Sequence, residues 1–195
     1  MNFDNLHQRI DDKRDDLITL TQDLIRIPTL NPPGEFYDDC VRFLGERLAL
    51  RGFEIEYFRA RGTPGDTDQY PRMNVVARRS NGSGPCVHFN SHIDVVATGA
   101  HWTHDPFAGE LLGDRIYGRG ACDMKGGLAA SVIAVEAYLE INPAFHGSIE
   151  ISGTADEETG GYGGVAYLAE LGVMAKPRLD NGLANGTVIA SSAVG

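Results

Sequence analysis

Gly147-Ser-Ile-Glu-Ile-Ser-Gly-Thr-Ala155, continuing without a break into Asp156-Glu-Glu-Thr-Gly-Gly-Tyr-Gly-Gly164, is the stretch that decides the fold. Its first half reads as a strand. Its second half is an acidic, Gly-rich turn that opens a short helix closing at Gly172. Just upstream, Lys125 to Ile141 reads as an Ala-rich helix stopped by Asn142-Pro143. Before it, Leu111, Leu112, Ile116 and Tyr117 flank a hairpin turn at Gly113-Asp114. Pro85–Ser91 forms another strand, running into Ser91-His-Ile-Asp94. Toward the N-terminus, Phe53–Tyr57 and Met73–Arg79 read as strands separated by the polar loop Arg61–Tyr70. A helix at about Glu35–Arg51, stopped by Gly52, precedes them. Leu6, Ile10, Leu17, Leu20 and Leu24 predict one earlier helix, capped by Asp4 or Asn5 and stopped by Pro28.

Strands alternating with helices indicate an α/β domain, three-layer α/β/α with a mostly parallel central sheet and incomplete at the C-terminus. We expect this domain to span residues 1–172. Residues 173–195 form a turn-rich tail with one small strand at Thr187–Ala190. No internal repeat is visible.

Composition narrows the function. The 195 residues are 42% hydrophobic and 23% charged, which excludes wholesale disorder. Acids outnumber bases 27 to 17, for a net charge of −10. That field repels polyanions and argues against a nucleic-acid partner. Cys40, Cys86 and Cys122 are odd in number, far apart and without a C-x-x-C pair, so a reducing compartment is expected rather than a disulfide scaffold. The start of the chain has no apolar core of a leader, and no apolar run is long enough to span a bilayer. The expectation is a cytoplasmic protein with no membrane partner.

In α/β sheets, ligands gather at the carboxyl ends of the strands. The polar residues placed there are His92 and Asp94, and Asp156, Glu157 and Glu158. Neutral imidazole is a good zinc ligand, and a nearby carboxylate can fix its tautomer; the alternative is a polar loop histidine beside an incidental acid. Asp123, between the hairpin and the Ala-rich helix, can bridge two cations or simply cap that helix. Adjacent carboxylates at 157 and 158 point to opposite sides of extended chain, so one can bind metal while the other acts as a base; the alternative is a solvated acidic turn.

Three ordered motifs, Asn90-Ser-His-Ile-Asp94, Gly118-Arg-Gly-Ala-Cys-Asp-Met-Lys-Gly-Gly127 and Thr154-Ala-Asp-Glu-Glu-Thr-Gly160, carry a resemblance. From about Leu17 to Gly172 the chain resembles the dinuclear-zinc amidohydrolases and exopeptidases. These include succinyl-diaminopimelate desuccinylase, acetylornithine deacetylase, aminoacylase and carboxypeptidase G, of which the desuccinylase and deacetylase branches look closest. The resemblance implies two Zn2+, with Co2+ able to substitute. His92 would bind one, Asp123 would bridge both and Glu158 would bind the other. Glu157 would be the general base and Asp94 would hold His92. A cis peptide would follow Asp123. The implied substrate is an N-acyl amino acid or small peptide, cleaved at its amide bond, and the implied assembly of the full-length family is a homodimer.

The chain also departs from that pattern. The acid expected at the end of the next strand, in a Glu-Pro context, has no counterpart in 181–190, where Asp180 is the nearest candidate. A late histidine and the lid or dimerisation domain are not found. His146 precedes a strand and belongs at the wrong sheet edge. We therefore expect an N-terminal part of a hydrolase, a fragment or a truncated product, with weak metal affinity and little turnover on its own. A non-catalytic binding module of the same ancestry is the alternative. A third reading takes Gly161-Tyr-Gly-Gly-Val-Ala166 as a dinucleotide-binding turn, although Glu157 and Glu158 would crowd the phosphates. Cys122 is expected to be a buried small residue, and Trp102 with Phe107 either lines a pocket or covers a sheet edge.

Overall fold

The structure, a computed structural model, describes residues 3–174 and 188–191. In chain order the elements are α1 (Phe3–Asp12), α2 (Arg14–Arg26), α3 (Tyr37–Ala49), β1 (Glu54–Arg59), β2 (Met73–Asn81) and β3 (Cys86–His92). There follow β4 (Glu110–Leu112), β5 (Arg115–Tyr117), α4 (Gly126–Ile141), β6 (Gly147–Thr154), α5 (Val165–Leu171) and β7 (Val188–Ser191). The chain divides into two compact units, one within Met1–Ile27 and Thr98–Phe145, the other within Pro28–Ala97 and His146–Gly195.

The first unit is helical, with the β4–β5 hairpin turning where Gly113-Asp114 foretold it. The single N-terminal helix expected from the leucine spacing is two helices, broken at Lys13 (φ −95°, ψ 14°). Lys13 is buried and its Nζ meets Glu140 of α4 at 2.8 Å. A lysine turned inward to a distant carboxylate leaves no trace in a hydrophobic period, so the break is invisible locally. α2 ends ahead of Pro28, and the buried Lys125 Nζ donates to the carbonyls of Leu24 (2.9 Å) and Ile27 (2.6 Å). A cation thus caps the negative end of the helix.

The second unit is built on a five-stranded sheet of order β1-β2-β6-β3-β7. The α/β class holds, but the sheet is mixed rather than mostly parallel. β6–β3 and β3–β7 are parallel, whereas β1–β2 and β2–β6 are antiparallel. The reason lies in the connections. Parallel neighbours need a crossover, usually helical, while β1 and β2 are joined by a loop alone and so return antiparallel. The small tail strand is present as Val188–Ser191; Asp180 and most of the tail lie outside the described residues.

α3 packs on β1 and β2. Gly153 of β6 allows this close approach, since a Cβ there would press on Leu44 of α3, Ile93 and Val75 at 3.0–3.2 Å. His88, Glu150 and Ser152 form a buried polar cluster, bordered by the part-exposed Arg78. Ser152 donates its hydroxyl to Asn90 Oδ1 (2.7 Å), so the His88 Nε2–H donates to Ser152 Oγ (2.8 Å). His88 Nδ1 lies 3.6 Å from Glu150, which pairs with Arg78. Burial pushes the His88 pKa down.

Register positions the site. β3 and β6 run parallel with His92 opposite Thr154. The segments that leave them, 93–95 and 155–159, therefore emerge side by side at one edge of the sheet.

Candidate metal centre

His92 closes β3 and is 3% exposed. Its Nδ1 lies 3.0 Å from the main-chain carbonyl of Asp94. A carbonyl can only accept, so Nδ1 carries a proton, and in the neutral imidazole Nε2 is then the nitrogen able to bind a metal. Nε2 stands 3.9 Å from Glu157 Oε2, and ligand atoms of His92 and Glu158 lie within 4.8 Å of each other. An imidazole beside two carboxylates is a donor set that suits a divalent cation.

Asp94 is fully buried. Its Oδ1 accepts the backbone N–H of Glu157 and its Oδ2 that of Glu158, each at 3.1 Å. Asn31 donates to Oδ2 at 2.8 Å. The sequence reading had this carboxylate holding His92. Its Oδ1 is 3.5 Å from Nδ1, farther than the residue's own carbonyl. The Asp94 carboxylate also fixes the backbone of the two glutamates, which the parallel register brings within reach.

Asp156, read from the sequence as part of an acidic run, has a structural task. It adopts a left-handed backbone (φ 61°) that turns the chain out of β6. Its side chain accepts from Arg72 Nε (3.0 Å), Tyr37 Oη (3.2 Å) and, more distantly, Asn31 Nδ2 (3.4 Å). Burial pushes the Asp156 carboxyl up, against the pull of the Arg72 guanidinium. Burial, with the charges of Asp94 and Asp156, pushes the Tyr37 phenol up as well. Asn31, Tyr37 and Arg72 were not identified from sequence. They come from three separate segments, and no local pattern links them to the acids. A pocket of about 180 Å³ opens beside the turn, with Asn31, Pro32, Arg72, Asp156, Thr159 and Tyr162 among its walls.

Asp123 belongs to the helical unit. It sits in the turn Ala121–Lys125 with φ −126° and ψ 99°, and the Asp123–Met124 peptide is cis, as the resemblance implied. The N-cap of α4 is Lys125 rather than Asp123. Cys122, expected to be buried, is exposed on this turn. Trp102 is held by its Nε1–H to the Thr98 carbonyl (2.6 Å), with Arg119 over its ring at 5.5 Å.

The glycines of the rival dinucleotide motif have packing reasons. A Cβ on Gly163 would collide with Asp156 Oδ2, and one on Gly164 with the Ala155 carbonyl oxygen. They let the turn fold back on the end of β6. His146 immediately precedes β6, at the edge opposite the glutamates.

Residues 88–192 match the family described as Peptidase family M20/M25/M40, more than half of the 195-residue chain. The chain belongs to peptidase family M20/M25/M40. Solved structures share the M20 fold. Human carnosine dipeptidase 1 is 21% identical with a TM-score of 0.71, covering 87% of this chain and 37% of its own. The dipeptidase Dug1p of Saccharomyces cerevisiae is 24% identical with a TM-score of 0.69, covering 86% and 36%. A dinuclear metal binding peptidase of the M20 family from Bacillus subtilis is 20% identical with a TM-score of 0.55, covering 82% and 39%. The chain thus spans little more than a third of each M20 relative's length. No described helix is long and apolar enough to cross a membrane.

Proposed function

We propose that this chain carries catalytic residues of a metal-dependent hydrolase that cleaves the amide bond of N-acyl amino acids or small peptides. In this reading His92, Asp123 and Glu158 hold two Zn2+, with Co2+ able to substitute, and Glu157 is the general base. A divalent cation so held polarises the scissile carbonyl and acidifies a water. Glu157 accepts a proton from the attacking water at its carboxylate and delivers it to the departing nitrogen. The C–N bond then breaks to give a free amine and a carboxylate. Glu157 is suited to this task because its side chain is half-exposed, yet its amide is anchored by Asp94. Asp94 acts as a positioning residue for both glutamates.

The observation that carries the reading is the pairing of Asp94 with the backbone of Glu157 and Glu158 beside a His92 whose Nδ1–H is held by the Asp94 carbonyl. Family membership supports the same chemistry. Titration of the 195-residue chain with Co2+ tests it. Binding should be lost in His92→Ala and retained in Glu157→Gln. Equal binding by His92→Ala would refute the metal assignment. Assaying N-acetyl and N-succinyl amino acids alongside dipeptides, with Glu157→Gln as the control, then ranks the substrates.

A further inference from the structure

We propose that Asn31 is a positioning residue of this centre, locking the segment that follows His92 to the turn that carries Glu157 and Glu158; the inference rests on the metal-centre reading above. Asn31 is placed by main-chain pairing. Its N–H donates to the Val95 carbonyl at 2.9 Å, and the Val95 N–H donates to the Thr29 carbonyl at 2.9 Å. Residues 29–31 therefore lie alongside the chain emerging from β3. The Asn31 side chain, itself 1% exposed, then spans to the other segment. Its Nδ2 reaches Asp94 Oδ2 at 2.8 Å, Thr159 Oγ1 at 2.9 Å and Asp156 Oδ1 at 3.4 Å.

Two of these neighbours are buried carboxylates, which only accept, so the amide must present its N–H groups to them. A carboxylate or a bare methyl at position 31 could not. Asp94 and Asp156 are like charges enclosed together, and Asn31 supplies donors to both without adding charge. Its Oδ1 is buried with no hydrogen-bond partner among the described residues. An orphaned carbonyl of this kind costs stability, so a residue chosen for stability alone would not leave it so. The arrangement serves the two acids it touches, and through Asp94 the backbone of both glutamates.

Co2+ titration of the 195-residue chain tests this, read by the visible absorption of the bound ion and by the melting temperature of the metal-free protein. Asn31→Ala should bind Co2+ about ten- to a hundredfold more weakly, with an altered absorption envelope. Asn31→Asp, equal in size but without N–H groups, should lose affinity to the same degree or more. Leu48→Ala, a core truncation on α3 outside the network, should melt lower yet keep the unmodified affinity. Affinities for both Asn31 variants within twofold of the unmodified chain would overturn the proposal, as would an equal loss in Leu48→Ala. Unfolding of both metal-free Asn31 variants would also overturn it, by showing a purely structural role. If the unmodified chain itself binds no Co2+, the metal-centre reading fails first and this inference falls with it.

Discussion

Arg72 donates its Nε–H to Asp156 Oδ2 at 3.0 Å, with the two side chains only 5% and 4% exposed. The pair sits at the hinge between β6 and the acidic turn. Removing one member leaves the other as an uncompensated buried charge, typically a loss of about 3–5 kcal/mol. Arg72→Met is expected to fall in that range by urea denaturation. Adding Asp156→Asn should recover part of the loss, because the stranded carboxylate is then gone. Independent, additive effects of the two substitutions would contradict this.

Gly164→Ala should disturb the same turn from its far side. The added methyl would overlap the Ala155 carbonyl oxygen, and backbone cannot rotate away as a side chain can. Overpacking of this kind costs about 1–3 kcal/mol. A lowered melting temperature together with weaker Co2+ binding is the expected outcome, since displacement of the turn moves both glutamates.

His88 should make stability depend on pH. Burial lowers its pKa in the folded state, opposed by Glu150 and reinforced by Arg78. The unfolded chain takes up a proton near the ordinary value of 6.5, whereas the folded chain does so only at lower pH. Between the two values the unfolded state binds more protons, so stability falls as pH falls, by up to about 1.4 kcal/mol per pH unit. In His88→Gln the slope of unfolding free energy between pH 7 and pH 5.5 should flatten. An unchanged slope would assign the pH dependence to other groups.

Lys125→Met should destabilise the helical unit. The Leu24 carbonyl keeps the Ile27 N–H but loses the lysine, and the part-buried Ile27 carbonyl loses its donor. An acceptor stripped of its donor costs about 1–3 kcal/mol. Thermal unfolding should report a loss of that size, and a neutral result would mean the methionine lets water reach those carbonyls.

Much of the fold could be read from local pattern. α3, β2, β3, α4 and β6 lie within a few residues of where periodicity and Gly or Pro stops placed them. Two features could not. The break at Lys13 coincides with an ion pair to Glu140, more than a hundred residues away, and the antiparallel entry of β2 depends on which neighbours it meets. Of the candidate site, the gathering of His92, Asp94, Glu157 and Glu158 at one sheet edge was legible because strand ends concentrate polar residues where α/β sheets bind ligands. The bonds from Asp94 to the glutamate backbone were not, since they depend on how β3 and β6 pair.

The sequence alone determined the α/β class, the order of the elements and the chemical types gathered at the strand ends. These follow from short-range physics, namely side-chain period, caps and chain stops. Only the tertiary structure decided that Asn31, Tyr37 and Arg72 join Asp94 and Asp156 in one buried network. Those residues meet because β3 and β6 pair in parallel and residues 29–31 zip onto the chain beyond β3. Hydrogen bonds and charges act over a few ångströms of space whatever the separation in sequence.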